Sequence, residues 1–194
     1  MTGAAESARE ALSRGDLIGA YDATVGAIAE GEDSPAIRHL QVLALARMGD
    51  TDRALELFAA SGLDTSPDPH ERAVGARLLK DRALSLPRGA AREAALGEAF
   101  DAYHAIYAES GDAFPGINAA TLALLAGDVG RAGSLAEALL ADPAVSAAAN
   151  YYDAATKAEA LLILGRTGEV TEVLARPPVR ESRDYGARST TLRQ

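Results

Sequence analysis

Cysteine is absent from the 194 residues, which excludes a disulfide framework, thiolate metal sites and cysteine nucleophiles. Tryptophan is absent too, and aromatic residues make up only 5% of the chain, so the apolar surface comes in small units that suit close helix-on-helix packing. No apolar run approaches the roughly 20 residues that a membrane-spanning helix needs. The opening residues "MTGAAESARE" lack the basic-then-apolar pattern of a secretory leader. Positive charge is also in short supply: 19 Lys and Arg stand against 28 Asp and Glu, a formal net charge of −9. A field of that sign repels polyanions, so neither nucleic acid nor an anionic membrane is expected as a partner. A cytoplasmic protein is the expectation that remains.

Strand-forming runs of Val, Ile, Thr and aromatics are missing, while Ala, Leu, Glu and Arg dominate nearly every segment; the chain reads as all-α. Its punctuation recurs. "RGDLIGAYD" from Arg14 and "MGDTDRALE" from Met48 superimpose with a shift of 34 residues, pairing Gly15 with Gly49, Asp16 with Asp50 and Ala20 with Ala54, and 34 is the tetratricopeptide period. A third copy places Gly127, Asp128 and Ala132 in the same relation, and "LGRTGEVTEVL" is a weaker fourth with Val170 in place of the Ala. In each copy the Gly ends one helix, the next residue starts another, and the small Ala lets the pair approach closely. A lone hairpin cannot bury its apolar face, so the copies must stack into a solenoid.

The pattern predicts about ten helices, over 3–14, 17–30, 35–48, 51–61, 69–86, 90–110, 116–126, 129–141, 147–164 and 169–175, in a right-handed superhelix. Residues 1–175 form the repeat domain, and 176–194, "RPPVRESRDYGARSTTLRQ", form a C-terminal segment, extended or packed back on the solenoid. Its two prolines argue against an immediate helix.

Catalytic signatures are missing: no phosphate-cradling glycine loop, no His-Glu-x-x-His and no nucleophile elbow. His39, His70 and His104 fall on different predicted helices or their edges without metal-ligand spacing, and read as surface or half-buried helix residues rather than ligands. No enzymatic activity, metal or cofactor is expected.

Three features carry the search for a binding site. Leu96, Phe100, Tyr103 and Tyr107 form one helical stripe that is either core or the edge of a groove, since a buried phenol needs a hydrogen-bond partner. Arg77 and Asp81, beside Lys80, are either a surface ion pair or a cation projecting into the groove. In "FPGINAATLALLAGD", Asn118 and Thr121 share a face among leucines and alanines. Asn118 either closes its helix's first turn or points into the concave surface, where an unpaired amide costs roughly 1–3 kcal/mol.

"GARLLKDRAL", "AFDAYHAIYAESGDAFPGINAATLALLAGD" and "YYDAATKAEALLILGR", in that order, resemble the tetratricopeptide-type TRAF-binding domain of the apoptosis signal-regulating kinases. They also resemble the related tetratricopeptide-repeat sensors of bacterial signalling proteins. The likeness covers about residues 71–194, with "PGINAATL" its most specific part. It implies a regulatory module that binds a small, nucleotide-derived ligand or a protein partner on behalf of an attached effector. Carried over by position, its polar signature falls on Arg77, Lys80, Asp81, Tyr107, Asn118, Thr121 and Glu159. Tyr151 and Tyr152 stand where an aromatic is usual, and Arg188, Arg193 and Gln194 in the terminal segment are further contributors. The expected function is a non-catalytic sensor of a small anionic ligand, the alternative a scaffold binding a peptide in its groove. Polar residues that converge at one spot favour the sensor; spread along the concave face, they favour the scaffold.

Overall fold

A computed structural model describes residues 3–182 and Arg188. Among these residues the chain forms twelve α-helices and no strand. They are α1 (Ala4–Arg14), α2 (Leu17–Ala29), α3 (Pro35–Met48), α4 (Thr51–Ser61), α5 (Pro69–Ser85), α6 (Ala90–Ser110), α7 (Ala113–Leu125), α8 (Val129–Ala141), α9 (Pro143–Ala147), α10 (Tyr151–Ile163), α11 (Thr167–Leu174) and α12 (Pro177–Arg180). The pairs α1/α2, α3/α4, α5/α6, α7/α8 and α10/α11 are hairpins, and each packs on the next. This is an all-α helical-repeat solenoid.

The repeated turn has the same hydrogen bonds in its three stronger copies. Gly15, Gly49 and Gly127 are left-handed, at φ 79°, 86° and 85°, the conformation that a side chain resists. The amides of Asp16, Asp50 and Asp128 reach back to the Ala11, Leu45 and Ala123 carbonyls at 2.9, 3.1 and 2.9 Å. Each Asp carboxylate then accepts from an amide three residues on: Gly19 (2.8 Å), Arg53 (3.4 Å) and Arg131 (3.0 Å). In the weaker copy Arg166 does not cap; its guanidinium pairs with Glu169 at 2.6 and 2.7 Å. Ala20, Ala54 and Ala132 are all 0% exposed, so the alanine of the pattern is where the two helices touch.

The α5/α6 hairpin lacks this turn. There the Arg92 Nη1 donates to the Leu84 and Leu86 carbonyls at 3.1 and 3.0 Å, satisfying acceptors that a helix end leaves open. The core runs as successive apolar clusters rather than one centre. Ala8, Leu12, Leu40 and Ala44 join α1 to α3, and Val42, Leu45, Val74 and Leu78 join α3 to α5. Phe100, Tyr103, Leu122 and Ala132 join α6 to α8, and Ala154, Leu161 and Val173 join α10 to α11.

The helices number twelve rather than ten for local reasons. α7 begins at Ala113, three residues before the expected Gly116, because Asp112 caps it by accepting from the Phe114 amide at 3.2 Å. Pro115 then lies in the first turn, where a missing N–H costs nothing. Residues 147–164 are not one helix. Asp142 and Pro143 start α9, Ala148 turns left-handed at φ 50°, and Asn150 restarts the chain by accepting from the Asp153 amide at 3.0 Å. The prolines after Ala175 do not prevent a helix either: Pro177 occupies the first position of α12, and Val179 packs on the α10–α11 cluster.

Candidate functional site

The first helix of each hairpin (α1, α3, α5, α7, α10) faces a common groove, whose two chambers have volumes of about 510 and 370 Å³. The smaller chamber lies between the end of α3, α5 and α7. Arg77, Lys80, Asp81, Tyr103, Asn118 and Thr121 all line it. Six of the polar residues named from the sequence therefore converge.

The question raised by Asn118 has a direct answer. It is 1% exposed and lies well inside α7, so it does not cap the helix. Its Nδ2 donates to the Phe114 carbonyl one turn back at 2.9 Å, and its Oδ1 accepts from Lys80 Nζ at 2.6 Å. That bond joins α5 to α7. Thr121, one turn further on, donates its hydroxyl to Glu159 Oε1 of α10 at 2.5 Å, joining α7 to α10. Two short polar side chains thus tie one helix to both of its inner neighbours.

Desolvation shapes the charges in this seat. Burial pushes the Lys80 ammonium below its ordinary pKa; the Asp81 and Glu159 charges oppose that shift and Arg77 adds to it. Burial raises the Glu159 carboxyl, against the Thr121 hydrogen bond and the Lys80 charge. Arg77 Nε stands 3.6 Å from Asp81 Oδ2, a loose ion pair at the chamber wall. Beneath Lys80 lies the Tyr103 ring, its centroid 5.9 Å from Nζ, and Phe114 meets the same ring edge-on at 6.3 Å. Tyr103 is 0% exposed. Its buried hydroxyl has no hydrogen-bond partner among the described residues, and burial raises its pKa.

A family model for Tetratricopeptide Repeats-Sensor matches residues 17–123, more than half of the chain. The chain belongs to that family. The matched span of this tetratricopeptide sensor runs from α2 to α7 and so includes Lys80 and Asn118; it begins earlier and ends earlier than the 71–194 expected from the motifs. Among solved structures, TTC0263, a thermophilic tetratricopeptide protein of Thermus thermophilus, is similar. It aligns at 15% identity with TM-score 0.74 over 96% of this chain and 94% of that one, a likeness of fold. None of the curated proteins compared matches the chain.

Other residues named from the sequence lie elsewhere in the sensor. Tyr107 does not line either chamber: its ring packs into the α6–α7 joint, so close that a Cβ on Gly116 would fall 2.8 Å from it. Tyr151 meets Tyr152 edge-on at 5.7 Å, and it is the exposed Tyr152 that lines the larger chamber, with Glu159. Arg188 is exposed and donates to the Ser182 carbonyl at 3.4 Å. Arg193 and Gln194 lie outside the described residues. Sequence reasoning missed Arg9, His39, Arg47 and His70, which line the larger chamber beside Arg77. They are scattered over three repeats, on α1, α3 and α5, so only the stacking of helices brings them together. Among the described residues no helix is long and apolar enough to cross a membrane, and no group of acidic residues and histidines could hold a metal ion.

Proposed function

We propose that this tetratricopeptide sensor is a non-catalytic regulatory module that binds a small anionic ligand in the seat formed by Arg77, Lys80, Tyr103, Asn118 and Thr121. It would relay occupancy to an effector or protein partner. The observation that carries the reading is the convergence of these residues on one chamber that also holds a buried phenol with no partner among the described residues. An orphaned buried hydroxyl costs about 1–3 kcal/mol, a cost that a bound acceptor removes. Arg77 and Lys80 supply the positive charge, in a chain whose net charge of −9 is screened at a distance. The likeness of the motifs to the kinase and bacterial sensor domains supports a nucleotide-derived ligand and an attached effector. The role calls for no cofactor.

The test is a thermal-shift panel of nucleotides, nucleotide derivatives and simple phosphates. A ligand at 100 times its Kd should stabilise the fold by about 2.7 kcal/mol, and Lys80→Met and Tyr103→Phe should each weaken the response. If no anion stabilises the protein, or both variants respond like the parent, the reading fails. A second reading, a scaffold that holds a peptide, is favoured by Phe114 and Tyr152, 41% and 62% exposed along the same groove. Peptide binding untouched by Lys80→Met would select it.

A further inference from the structure

The larger chamber has its own chemistry. Its α1–α3–α5 wall carries Arg9, His39, Arg47 and Arg77; its α7–α10 wall carries Asp112, Asp153 and Glu159, and His70 sits between the two at the start of α5. The carboxylates are engaged. Asp112 caps α7 and stands 3.8 Å from His70 Nε2, Asp153 accepts from Asn150 Nδ2 at 2.6 Å, and Glu159 accepts from Thr121. Of the cations, Arg47 donates to the Leu12 carbonyl at 3.2 Å, while Arg9 and Arg77 are less engaged. Arg9 has no ion pair or hydrogen bond among the described residues, and the Arg77–Asp81 separation of 3.6 Å exceeds hydrogen-bond length.

His39 completes the wall. Its Nδ1 is buried and has no hydrogen-bond partner among the described residues. A proton on that nitrogen would be an orphaned donor, which favours the neutral tautomer with its proton on Nε2. The charged ring is disfavoured above all by burial; Glu71 and Asp68 oppose this, while Arg9 and His70 reinforce it. The wall therefore presents guanidinium groups flanking a neutral N–H donor, a set that complements the several acceptor oxygens of a phosphate-type anion.

We propose that the larger chamber is a second ligand site, for a multiply charged oxyanion such as a pyrophosphate group, held by Arg9, Arg77 and His39 Nε2–H. It is distinct from the Lys80–Asn118 seat, with which it shares Arg77. Three successive repeats each contribute one group, so the site exists only in the stacked solenoid.

The experiment is titration of the full chain with sodium pyrophosphate at pH 7.5, by calorimetry and by NMR of the histidine ring protons. Parent, Arg9→Gln, His39→Phe and Lys80→Met are compared. Pyrophosphate should shift the His39 ring signals, and Arg9→Gln and His39→Phe should each weaken Kd about tenfold, the scale of one charge-assisted hydrogen bond. Lys80→Met should leave Kd within about twofold, as expected of a separate site. Arg9 is exposed, so its variant folds and carries the test even if His39→Phe does not. Affinity unchanged in Arg9→Gln, no binding by the parent, or loss in Lys80→Met alone would overturn the proposal. These outcomes separate the two sites. Failure of the Lys80 seat leaves pyrophosphate bound and sensitive to Arg9, whereas failure here leaves Arg9→Gln silent while the panel still responds to Lys80→Met and Tyr103→Phe.

Discussion

The joint between α1 and α3 and the joint between α5 and α7 occupy equivalent places in the stack but are built from opposite materials. At the first, Ala8, Ala11, Leu12, Leu40 and Ala44 form an apolar cluster, with a polar tie from Arg47 Nη1 of α3, which donates to the Leu12 backbone carbonyl of α1 at 3.2 Å. At the second, Lys80 reaches across to Asn118 at 2.6 Å over a chamber of about 370 Å³. An apolar joint closes the solenoid at low cost. A polar joint holds two inner helices apart while specifying their separation, and that is how a repeat protein keeps a hollow in an otherwise close-packed stack. The difference teaches where stability and function part company: the first joint is expected to govern folding, the second binding.

The largest expected effect comes from breaking the apolar joint. Leu40→Ala should cost about 2–5 kcal/mol in urea unfolding, the range for truncation in a packed core, without changing ligand affinity in the surviving folded protein. Asn118→Ala should cost about 1–3 kcal/mol, because it removes the Lys80 acceptor from a desolvated site, and it should abolish the ligand-induced thermal shift. Thr121→Val, which removes the bond from α7 to Glu159, should cost about 0.5–1.5 kcal/mol, measured the same way.

A smaller effect appears with pH. Burial holds the His39 pKa below its ordinary 6.5, so below that value the unfolded chain binds more protons than the folded one. Stability then rises with pH across the window between the lowered folded value and 6.5, and falls on acidification through it. The denaturation midpoint of the parent should drop between about pH 7 and pH 5 more steeply than that of His39→Phe. Equal slopes would remove His39 from the account of the groove.

Much of this architecture was legible in the amino-acid order because its determinants are local. Gly15, Gly49 and Gly127, each followed by an Asp and then an Ala five positions on, carry the turn, the cap and the close contact within six residues. The break at Ala148 was not legible: an alanine in the left-handed region leaves no trace in sequence, and the Asp142 and Asn150 caps on either side read as ordinary loop residues. The start of α12 was missed because proline breaks a helix interior but opens a helix at its first position. At the site, Lys80, Asn118 and Thr121 stood out as polar residues on apolar faces, and resemblance supplied Glu159, which lies 38 residues from Thr121. The stripe containing Tyr103 and Tyr107 could not show that one tyrosine sits under the chamber and the other in a helix joint, since both share one face. Two members of the larger chamber were hidden for the same reason that makes them interesting. Arg9 and His39 are single residues in two different repeats, and nothing in either repeat marks them as site residues, whereas Arg77 stood out beside Lys80 and Asp81.

The central claim is that Lys80 and Asn118 are kept for binding rather than for stability. The direct measurement is a double-mutant cycle with Lys80→Met and Asn118→Leu, reading both unfolding free energy and the ligand-induced thermal shift. Replacing both partners by apolar groups should return stability to within about 1 kcal/mol of the parent, while the thermal shift vanishes. A double variant that is several kcal/mol less stable, or one that still responds to the ligand, would contradict it.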